Sequence, residues 1–357
     1  QLQGHSRGTG IIFMFSLRGE DMVSMKDIAA ACHVSVATVS KALNGHRDIS
    51  EETKLHIKKV AKDMGYFPNS VARALKTNKT FNIGVLFVEE AHSGLTHNYF
   101  SHLLDSFKVT AEAQGYDITF LNCNKQRKDR MSYLEHSRYR GFDGVVIACV
   151  NFEDPEVVEL IESDLPVVTI DRIFPNRISI VSDNEKGITD LVSYIIEKKH
   201  TKIAYIHGRD SAVTRQRLAS FREVMKQHDI VVPNAYIRET DYRDIQRTAI
   251  ATAELLKLPD PPTCILFPDD YAAYGGINVI KAAGLRIPED ISVAGYDGIS
   301  LATKIEPKMT TIKQDTKTMG MLAAEKLIAL IEKPSTTEIV SITVPGILLP
   351  GATVASQ

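Results

Sequence analysis

Residues 33–45 of the chain, HVSVATVSKALNG, determine how its first part folds. The stretch holds four valines or leucines, several small residues and a single lysine, and Ser35 stands where a helix N-cap is expected. At 3.6 residues per turn, Val39 and Leu43 fall on the same side and are expected to face a core. The spacing therefore predicts a short helix over 36–43 whose outer surface carries small side chains.

Two further helices flank this segment. Ser24 and Asp27 have capping-box spacing ahead of IAAACH, which predicts a preceding helix that contributes Ile28 and Ala29 to the same core. His33 stands at the turn, where a left-handed backbone is expected. Ser50, followed by two glutamates, predicts the start of a third helix. Two short helices joined by a tight turn, with a third packed behind, are typical of a helix-turn-helix unit.

From Phe81 onwards, apolar strand-like segments alternate with amphipathic helical segments, and after Asp183 the same rhythm repeats. Near-continuous hydrophobic strands are typical of parallel sheets buried on both faces. The pattern predicts an α/β core of two doubly wound parallel sheets, that is, two lobes with a cleft between them. The predicted helices are 99–114, 128–139, 155–162, 185–198, 213–228, 243–257, 270–283 and 316–332, and the predicted closing strand is 341–349.

Charge is distributed unevenly along the 357 residues. The net charge is −2, yet residues 23–80 hold ten Lys/Arg against five Asp/Glu, whereas residues 81–357 hold 30 against 37. A small basic segment joined to a larger acidic body is expected when one part of a chain meets phosphates. A solvated charged face is the alternative interpretation of the charge alone.

The cysteine and hydropathy patterns exclude several other classes. The four cysteines form no CxxC pair and lie at no metal-ligand spacing, so we expect neither disulfides nor a metal site, and a reducing cytoplasm fits. No apolar stretch approaches the ~18 residues of a membrane span. GVLFVEEAHSG, at the first strand, lacks both GxGxxG and GxxxxGK[ST], so kinase and dehydrogenase functions are not expected. No cofactor is predicted.

The outer surface of helix 36–43 has the chemistry of a DNA-reading face. Val36 and Ala37 can pack on thymine methyl groups, and Lys41 can donate to guanine O6 and N7. Side-chain hydroxyls, an amide and the helix amino-terminus suit phosphate contacts. A three-helix module for protein contacts is the alternative on this pattern alone. The predicted DNA-binding residues of this unit are Ser35, Val36, Ala37, Thr38, Ser40, Lys41 and Asn44.

A resemblance supports the DNA interpretation. VSMKDIAAACHVSVATVSKALNG, followed by GYFPNSVARALKTNKTFNIGVL, resembles the headpiece and hinge of the lac-repressor (LacI/GalR) family. Later segments match in order: PVVTIDR, GITDLVSYIIEKKHTKIAYIHG, RQRLASF, PTCILFPDDYAAYGGINVIKAAGLRIPEDISVAGYDG and MTTIKQD. The resemblance implies a cytoplasmic homodimeric transcription regulator with a periplasmic-binding-protein-like core and a double-stranded DNA operator as partner.

The same resemblance implies a mechanism for the hinge. In the family, a short helix orders on DNA and wedges a leucine between base pairs in the minor groove. The matching residue is Leu75, whereas a core leucine packing on the sheet domain is the alternative. Further hinge residues expected at DNA are Asn69, Ala72, Arg73 and Lys76.

Polar residues at strand ends predict a ligand site between the lobes, where open α/β sheets bind ligands. By resemblance, the ligand-binding residues are Asn98, Tyr99, Phe100, Asp171, Arg217, Asp269, Asp297 and Gln314. Three carboxylates, an arginine and an amide form a hydrogen-bonding cage suited to the vicinal hydroxyls of a sugar, with Tyr99, Phe100 or Tyr271 available to stack on the ring. Helix N-capping is the alternative role for Asp269 and Asp270, and turn capping for Asp297. A glycosidase also uses paired carboxylates, but the helix-turn-helix unit gives no reason for hydrolysis.

These observations predict a ligand-responsive repressor that binds a palindromic operator as a dimer, is not an enzyme, and takes a sugar-type effector. A regulator of the same family controlled by a purine or a phosphoprotein co-regulator is the alternative. The chain ends without leucine heptads, so no tetramer is expected.

Residues 1–21 match nothing that follows and are expected to derive from a cloning segment or a misplaced start site. The predicted domains are a disordered extension over 1–22, the helix-turn-helix domain over 23–67, the hinge over 68–80 and the core over 81–357, with a first lobe at about 81–181 and 313–339 and a second lobe at about 182–312 and 340–357.

Overall fold

The computed structural model describes residues 23–67, 74, 79–88, 94–121 and 131–357. The extension predicted over 1–22 lies outside the described residues. The chain divides into two compact units, Gln1–Lys79 and Thr80–Gln357, and each is described by itself.

The first unit contains three helices, α1 (Met25–Ala31), α2 (Val36–Leu43) and α3 (Glu51–Asp63). The Ser35 hydroxyl accepts the amide N–H of Thr38 at 3.0 Å and so caps α2. His33 between α1 and α2 has a φ of 52°, which confirms the left-handed turn predicted there. These local features fix the tight entry into α2.

The core of this unit is small and apolar. It contains Ile28, Ala29, Val39, Ala42, Ile57 and Ala61. The prediction that Val39 and Leu43 face this core is confirmed: Val39 is fully buried, and the half-buried Leu43 packs against the cluster. Ala42 is fully buried in the same core. Ala42 lies three residues after Val39, on the same helix face, and its small side chain allows close packing.

The second unit begins with a lobe built on a parallel six-stranded sheet. Its strands are β1 (Asn82–Phe87), β2 (Asp117–Phe120), β3 (Gly144–Ala148), β4 (Val167–Ile170), β5 (Ile178–Ser182) and β11 (Ser341–Val344), in the order β11-β5-β4-β3-β1-β2. The flanking helices are Asn98–Ala113, Tyr133–Arg140, Pro155–Glu162 and Thr316–Glu332. Buried aliphatic side chains from both faces of the sheet form the core of this lobe.

The second lobe has a parallel four-stranded sheet. Its strands are β6 (Ile203–His207), β7 (Ile237–Glu239), β8 (Cys264–Leu266) and β9 (Ser292–Ala294), in the order β7-β6-β8-β9. The helices are Asn184–Glu197, Ala212–Gln227, Ile245–Leu256, Asp270–Ala282 and Ser300–Lys304. The two doubly wound lobes confirm the predicted fold class.

The closing strand predicted over 341–349 is wrong as a single element. Its first half is β11, which pairs in parallel with β5 of the first lobe, and its second half is β12 (Ile347–Leu349), which pairs antiparallel with β10 (Thr311–Lys313). Pro345 and Gly346 interrupt the ladder between them, since proline cannot donate a backbone hydrogen bond. Residues 341–344 therefore belong to the first lobe, which corrects the predicted assignment of 340–357 to the second lobe.

The chain crosses between the lobes at 182–184, 313–316 and 344–347, where consecutive elements belong to different sheets. Within the described ranges, no helix is both long enough and apolar enough to cross a bilayer. In the same ranges no group of three or more His, Cys, Asp or Glu side chains is placed to hold a metal ion.

Candidate DNA-binding surface and ligand cleft

The outer face of α2 is exposed. Val36 has 42% of its surface accessible, and Ser35 and Ala37 are also exposed. Thr38 is half-buried because its side chain turns back to the Ser35 hydroxyl, with 2.8 Å between the two oxygens. The apolar residues expected to meet bases therefore lie on a free surface, next to the amino-terminus of the helix.

The last turn of α2 carries the predicted polar contacts. Lys41 is exposed, and its ammonium group donates to the Asp48 carboxylate at 2.5 Å. Asn44 is also exposed, and its side-chain amide donates to the Ser40 carbonyl at 2.7 Å. Lys41 therefore needs to leave Asp48 before it can contact a base. The remaining predicted DNA contacts, Asn69, Ala72, Arg73, Leu75 and Lys76, lie outside the described residues.

In the second unit, a cavity of about 400 Å³ opens between the two lobes. Both lobes contribute residues that follow the carboxyl ends of their parallel strands, as expected for a ligand site in an α/β fold. Of the predicted ligand residues, those that line the cavity are Tyr99, Phe100, Asp171, Arg217, Asp269, Asp297 and Gln314.

A chain of polar contacts runs from one lobe to the other through this cavity. The Tyr99 hydroxyl donates to Asp171 Oδ2 at 3.0 Å and lies 3.4 Å from the Ser182 hydroxyl. Ser182 donates to the side-chain carbonyl of Gln314, whose Nε2 donates to Asp297 Oδ1 at 2.6 Å. Ser182 and Gln314 lie where the chain crosses between the lobes, so this network joins the two walls of the cleft.

Asp269 has the N-cap role that the sequence left open, and it also lines the cavity. Its Oδ1 accepts the amide N–H of Ala272 at 2.8 Å, and its Oδ2 accepts that of Arg243 at 2.7 Å. Asp270 is fully buried and accepts from the Thr311 hydroxyl at 2.6 Å and the Ile299 amide at 2.9 Å. Asp270 therefore braces the lobe rather than facing a ligand.

Arg217 is held rigidly in the wall of the second lobe and is only 4% exposed. Its Nε donates to Asn184 Oδ1 at 2.8 Å, and its Nη1 donates to the Pro268 carbonyl at 3.3 Å. The guanidinium carbon lies 3.6 Å from the centroid of the Tyr296 ring, a cation–π contact. This arrangement leaves part of the guanidinium fork available to a ligand in the cavity.

Burial raises the pKa values of carboxyl groups in the cleft, because desolvation disfavours their charged forms. Desolvation raises the pKa of Asp171 and of Asp269. The pKa of Asp297 is raised to about 7, chiefly by desolvation and in smaller part by the neighbouring Asp269, while Arg217 opposes the shift. A carboxyl group that is protonated near neutral pH can donate as well as accept hydrogen bonds, which suits hydroxyl-rich ligands.

Three residues that follow strands at the cavity have a strained backbone. Cys149, Asp171 and Asp297 line the cavity and have φ values of 53°, 61° and 101°, in the left-handed region that non-glycine residues rarely adopt. Such strain persists where the surrounding structure enforces it, and it clusters at ligand sites.

Two predicted residues lie elsewhere. Asn98 is absent from the cavity lining and faces a neighbouring groove, where its Oδ1 accepts from Arg243 Nη1 at 3.4 Å. Tyr271 does not line the cavity either, because its ring is covered by the Arg243 guanidinium at 4.3 Å. Phe100 does line the cavity and packs edge-on against Tyr99.

Sequence reasoning missed many residues of this cleft, and three of them matter most for its chemistry. Tyr242 and Arg243 line it from the loop after β7, and Ser182 connects its two walls. The sequence signal that identified Asp297 could also have identified them, because each is a polar residue at or just beyond the carboxyl end of a parallel strand. Strand β7 is short and only half-buried, so its end is poorly marked in the sequence.

The two units match known protein families. The sequence profile of the lacI family of bacterial regulatory proteins matches residues 24–69, and that of a periplasmic binding protein-like domain matches residues 192–354.

Similar proteins cover nearly the whole chain. The probable HTH-type transcriptional repressor ExuR of Bacillus subtilis (strain 168) is 32% identical over 88% of this chain and 93% of its own length. The ribose operon repressor of Escherichia coli (strain K12) is 31% identical over 88% of this chain and 94% of its own. A structure of the lac repressor dimer bound to operator and an anti-inducer superposes with a TM-score of 0.81 at 24% identity, over 94% of this chain and 99% of that one. The chain therefore belongs to the lacI family of bacterial regulatory proteins and is a ligand-responsive, DNA-binding transcriptional repressor.

Proposed function

We propose that this repressor binds a palindromic operator as a homodimer and that a sugar or sugar derivative in the inter-lobe cleft controls its DNA affinity. The observation that carries the effector assignment is the polar network from Asp171 through Ser182 and Gln314 to Asp297. Its groups donate and accept along both walls of one cavity, which matches the alternating hydroxyls of a sugar ring.

The exposed face of α2 is the proposed base-reading surface. Val36 and Ala37 contact bases, Lys41 reads guanine, and Ser35, Thr38, Ser40 and Asn44 fix the register on phosphates. One such helix reads only a few base pairs, so two copies related by a twofold axis are needed for a long operator.

The proposed role of the hinge rests on the resemblance to the lac-repressor family alone. Leu75 is proposed to wedge into the minor groove, assisted by Ala72, Arg73, Lys76 and Asn69. Leu75→Ala is expected to weaken specific operator binding at least tenfold at fixed salt, since the kinked duplex loses its wedge, while the melting temperature of the protein stays unchanged. Specific affinity equal to that of the wild type would refute this role.

Coupling is proposed to pass through the lobe crossings. An effector that contacts both walls favours one relative position of the lobes, and any change in DNA affinity requires different effector affinities in the two states, typically by ~1–3 kcal/mol. We further propose that the protein acts in the cytoplasm, where chromosomal DNA is found, and that it is not an enzyme.

The test has two steps. Selection of the full chain on a random oligonucleotide pool should enrich a palindromic sequence, and a panel of sugars should then contain a member that raises the melting temperature and changes operator affinity. Failure to enrich any sequence would contradict the DNA assignment. Enrichment without a response to any sugar would contradict the effector assignment.

A purine effector is the second candidate. Phe100, Phe152 and Tyr242 line the cavity together with the polar groups, and these aromatic side chains favour a planar ring. Hypoxanthine and guanine therefore belong in the same panel, and a larger response to them than to any sugar would favour this candidate.

A further inference from the structure

Arg243 differs from most of the other arginines of the cleft because its guanidinium forms no ion pair at contact distance with any described residue; its charge acts on the neighbouring Asp269 without such a contact. Arg172 pairs with Glu153, Arg209 with Asp241 and Arg215 with Asp210 at distances of 3.4, 2.8 and 2.6 Å. Across the described part of the chain, no carboxylate forms an ion pair with Arg243. Its Nε is buried and has no hydrogen-bond acceptor.

The backbone and ring contacts of Arg243 hold its guanidinium in place. Its amide N–H donates to Asp269, its φ is 60°, and its guanidinium carbon stacks 4.3 Å from the centroid of Tyr271. The carboxylate of Asp269 thus contacts the main chain of Arg243, and both of its oxygens already accept backbone N–H groups. A half-buried guanidinium that is fixed in position with an unused buried donor is unfavourable unless a ligand supplies the acceptor.

The position of Arg243 connects it to both lobes. It lines the cavity from the second lobe, and its Nη1 donates to Asn98 Oδ1 of the first lobe at 3.4 Å, a long hydrogen bond. An anion bound in the cavity would meet the guanidinium fork of Arg243. Carboxylate and phosphate groups match this fork with two parallel hydrogen bonds.

We propose that the effector carries a carboxylate or phosphate group and that Arg243 binds this anion. The proposal rests on the proposed function, because it takes the inter-lobe cleft as the effector site. It narrows the effector class from sugars in general to sugar acids and sugar phosphates. The polar network around Asp171 and Asp297 then serves the hydroxyl groups of the same ligand.

The test compares each neutral sugar with its charged counterparts on the full chain by calorimetry. The probes are glucose, glucuronate and glucose 6-phosphate, then galactose, galacturonate and galactose 6-phosphate, then ribose and ribose 5-phosphate. At least one charged probe should bind tenfold or more tightly than its neutral parent. A uronate response identifies a carboxylate source, and a phosphate response identifies a phosphate source.

Variants then assign the anion to Arg243. Arg243→Gln should lower the affinity for the charged probe by about 10- to 100-fold, as expected for lost charge-assisted hydrogen bonds, and should lower the affinity for the neutral parent much less. Arg243→Lys should retain part of the preference, since it keeps the charge without the fork. Arg222→Gln, which removes an exposed arginine of the same lobe outside the cavity, is the control and should bind as the wild type does.

Two results would overturn the proposal: a panel in which no charged probe binds at least tenfold more tightly than its neutral parent, or wild-type affinity for the charged probe in Arg243→Gln. The melting temperature of each variant without ligand checks that it folds, and the wild-type comparison of charged and neutral probes stands independently of any variant. Failure of the DNA assignment is distinguishable, because it appears as an absence of sequence enrichment whatever the sugars do.

Discussion

In the DNA-binding unit, the Lys41 side chain has two competing partners, Asp48 and DNA. Lys41 forms an ion pair with Asp48 at 2.5 Å, and both side chains are about half exposed. Exposed ion pairs contribute little to stability, typically ~0–1 kcal/mol, so DNA can compete with Asp48 for the ammonium group.

Lys41→Ala should therefore weaken binding to the selected operator by about 1–3 kcal/mol and abolish the base preference at one position in each half-site, because a contact to a base edge is lost. Fluorescence anisotropy on operators carrying each of the four bases at each position measures both effects. Lys59→Ala, which removes an exposed lysine of α3, serves as the control for charge alone. Equal losses of preference in the two variants would contradict base reading by Lys41.

The ionisation of Asp297 is expected to make the stability of the core depend on pH. Burial raises its pKa from 3.8 to about 7. The folded state then binds more protons than the unfolded state between these pH values, so stability falls as pH rises through this window. Asp297→Asn removes this effect and should stabilise the ligand-free protein at pH 8 by up to about 4 kcal/mol, with little gain below pH 4.

Chemical denaturation of the wild type and Asp297→Asn from pH 4 to pH 8 measures this difference. Asp105→Asn, which removes an exposed carboxylate, should leave the pH dependence of the wild type intact. Parallel stability curves for the wild type and Asp297→Asn would contradict the burial of an unfavourable charge at Asp297.

At the scale of elements, one close helix packing supports the cleft. An ideal Cβ on Gly187, in helix Asn184–Glu197, would lie 2.2 Å from the Tyr296 hydroxyl. Tyr296 is fully buried and carries Arg217 on its ring face. Because Gly187 has no side chain, the Tyr296 ring can pack close to this helix and hold the cavity-lining Arg217 on its face.

Gly187→Ala should destabilise the core by about 1–3 kcal/mol through overpacking, and it should also weaken effector binding because the Tyr296 ring carries Arg217 with it. The double variant Gly187→Ala/Tyr296→Phe removes the clashing hydroxyl and should recover most of the stability. Thermal denaturation and ligand calorimetry measure the two effects. Wild-type stability and effector affinity in Gly187→Ala would show that the Tyr296 ring can move without cost, which contradicts this prediction.

Elements were predictable from the sequence to the extent that periodicity encodes them. The buried strands are near-continuous apolar stretches, and helices such as Pro155–Glu162 and Thr316–Glu332 have the bounds that their apolar spacing predicts. The prediction of a single strand over 341–349 was wrong because an apolar stretch does not encode which sheet it joins. Residues such as Arg243 lie in polar loops without periodicity, so only the fold brings them to the cavity.

At the scale of the whole core, the two lobes are joined through polar side chains at the chain crossings. Gln314 accepts from Ser182 and donates to Asp297, so its amide connects the first wall of the cleft to the second. Buried networks of this kind hold a single arrangement when every member is satisfied, and losing one member leaves its partners unpaired. Gln314 is therefore positioned to affect both the ligand and the relation between the lobes.

Gln314→Leu keeps the approximate volume of the side chain and removes both hydrogen bonds. We expect effector affinity to fall at least tenfold, and we also expect a smaller effector-induced change in operator affinity when the effector is saturating. The second measurement is decisive, because weaker binding alone leaves the saturated ratio of operator affinities unchanged, whereas that ratio reports the difference between the two states. Lys317→Ala, an exposed position just after the same crossing, should preserve both quantities. If Gln314→Leu lowers effector affinity but retains the full saturated ratio, Gln314 is a ligand contact and the coupling passes through other parts of the crossings.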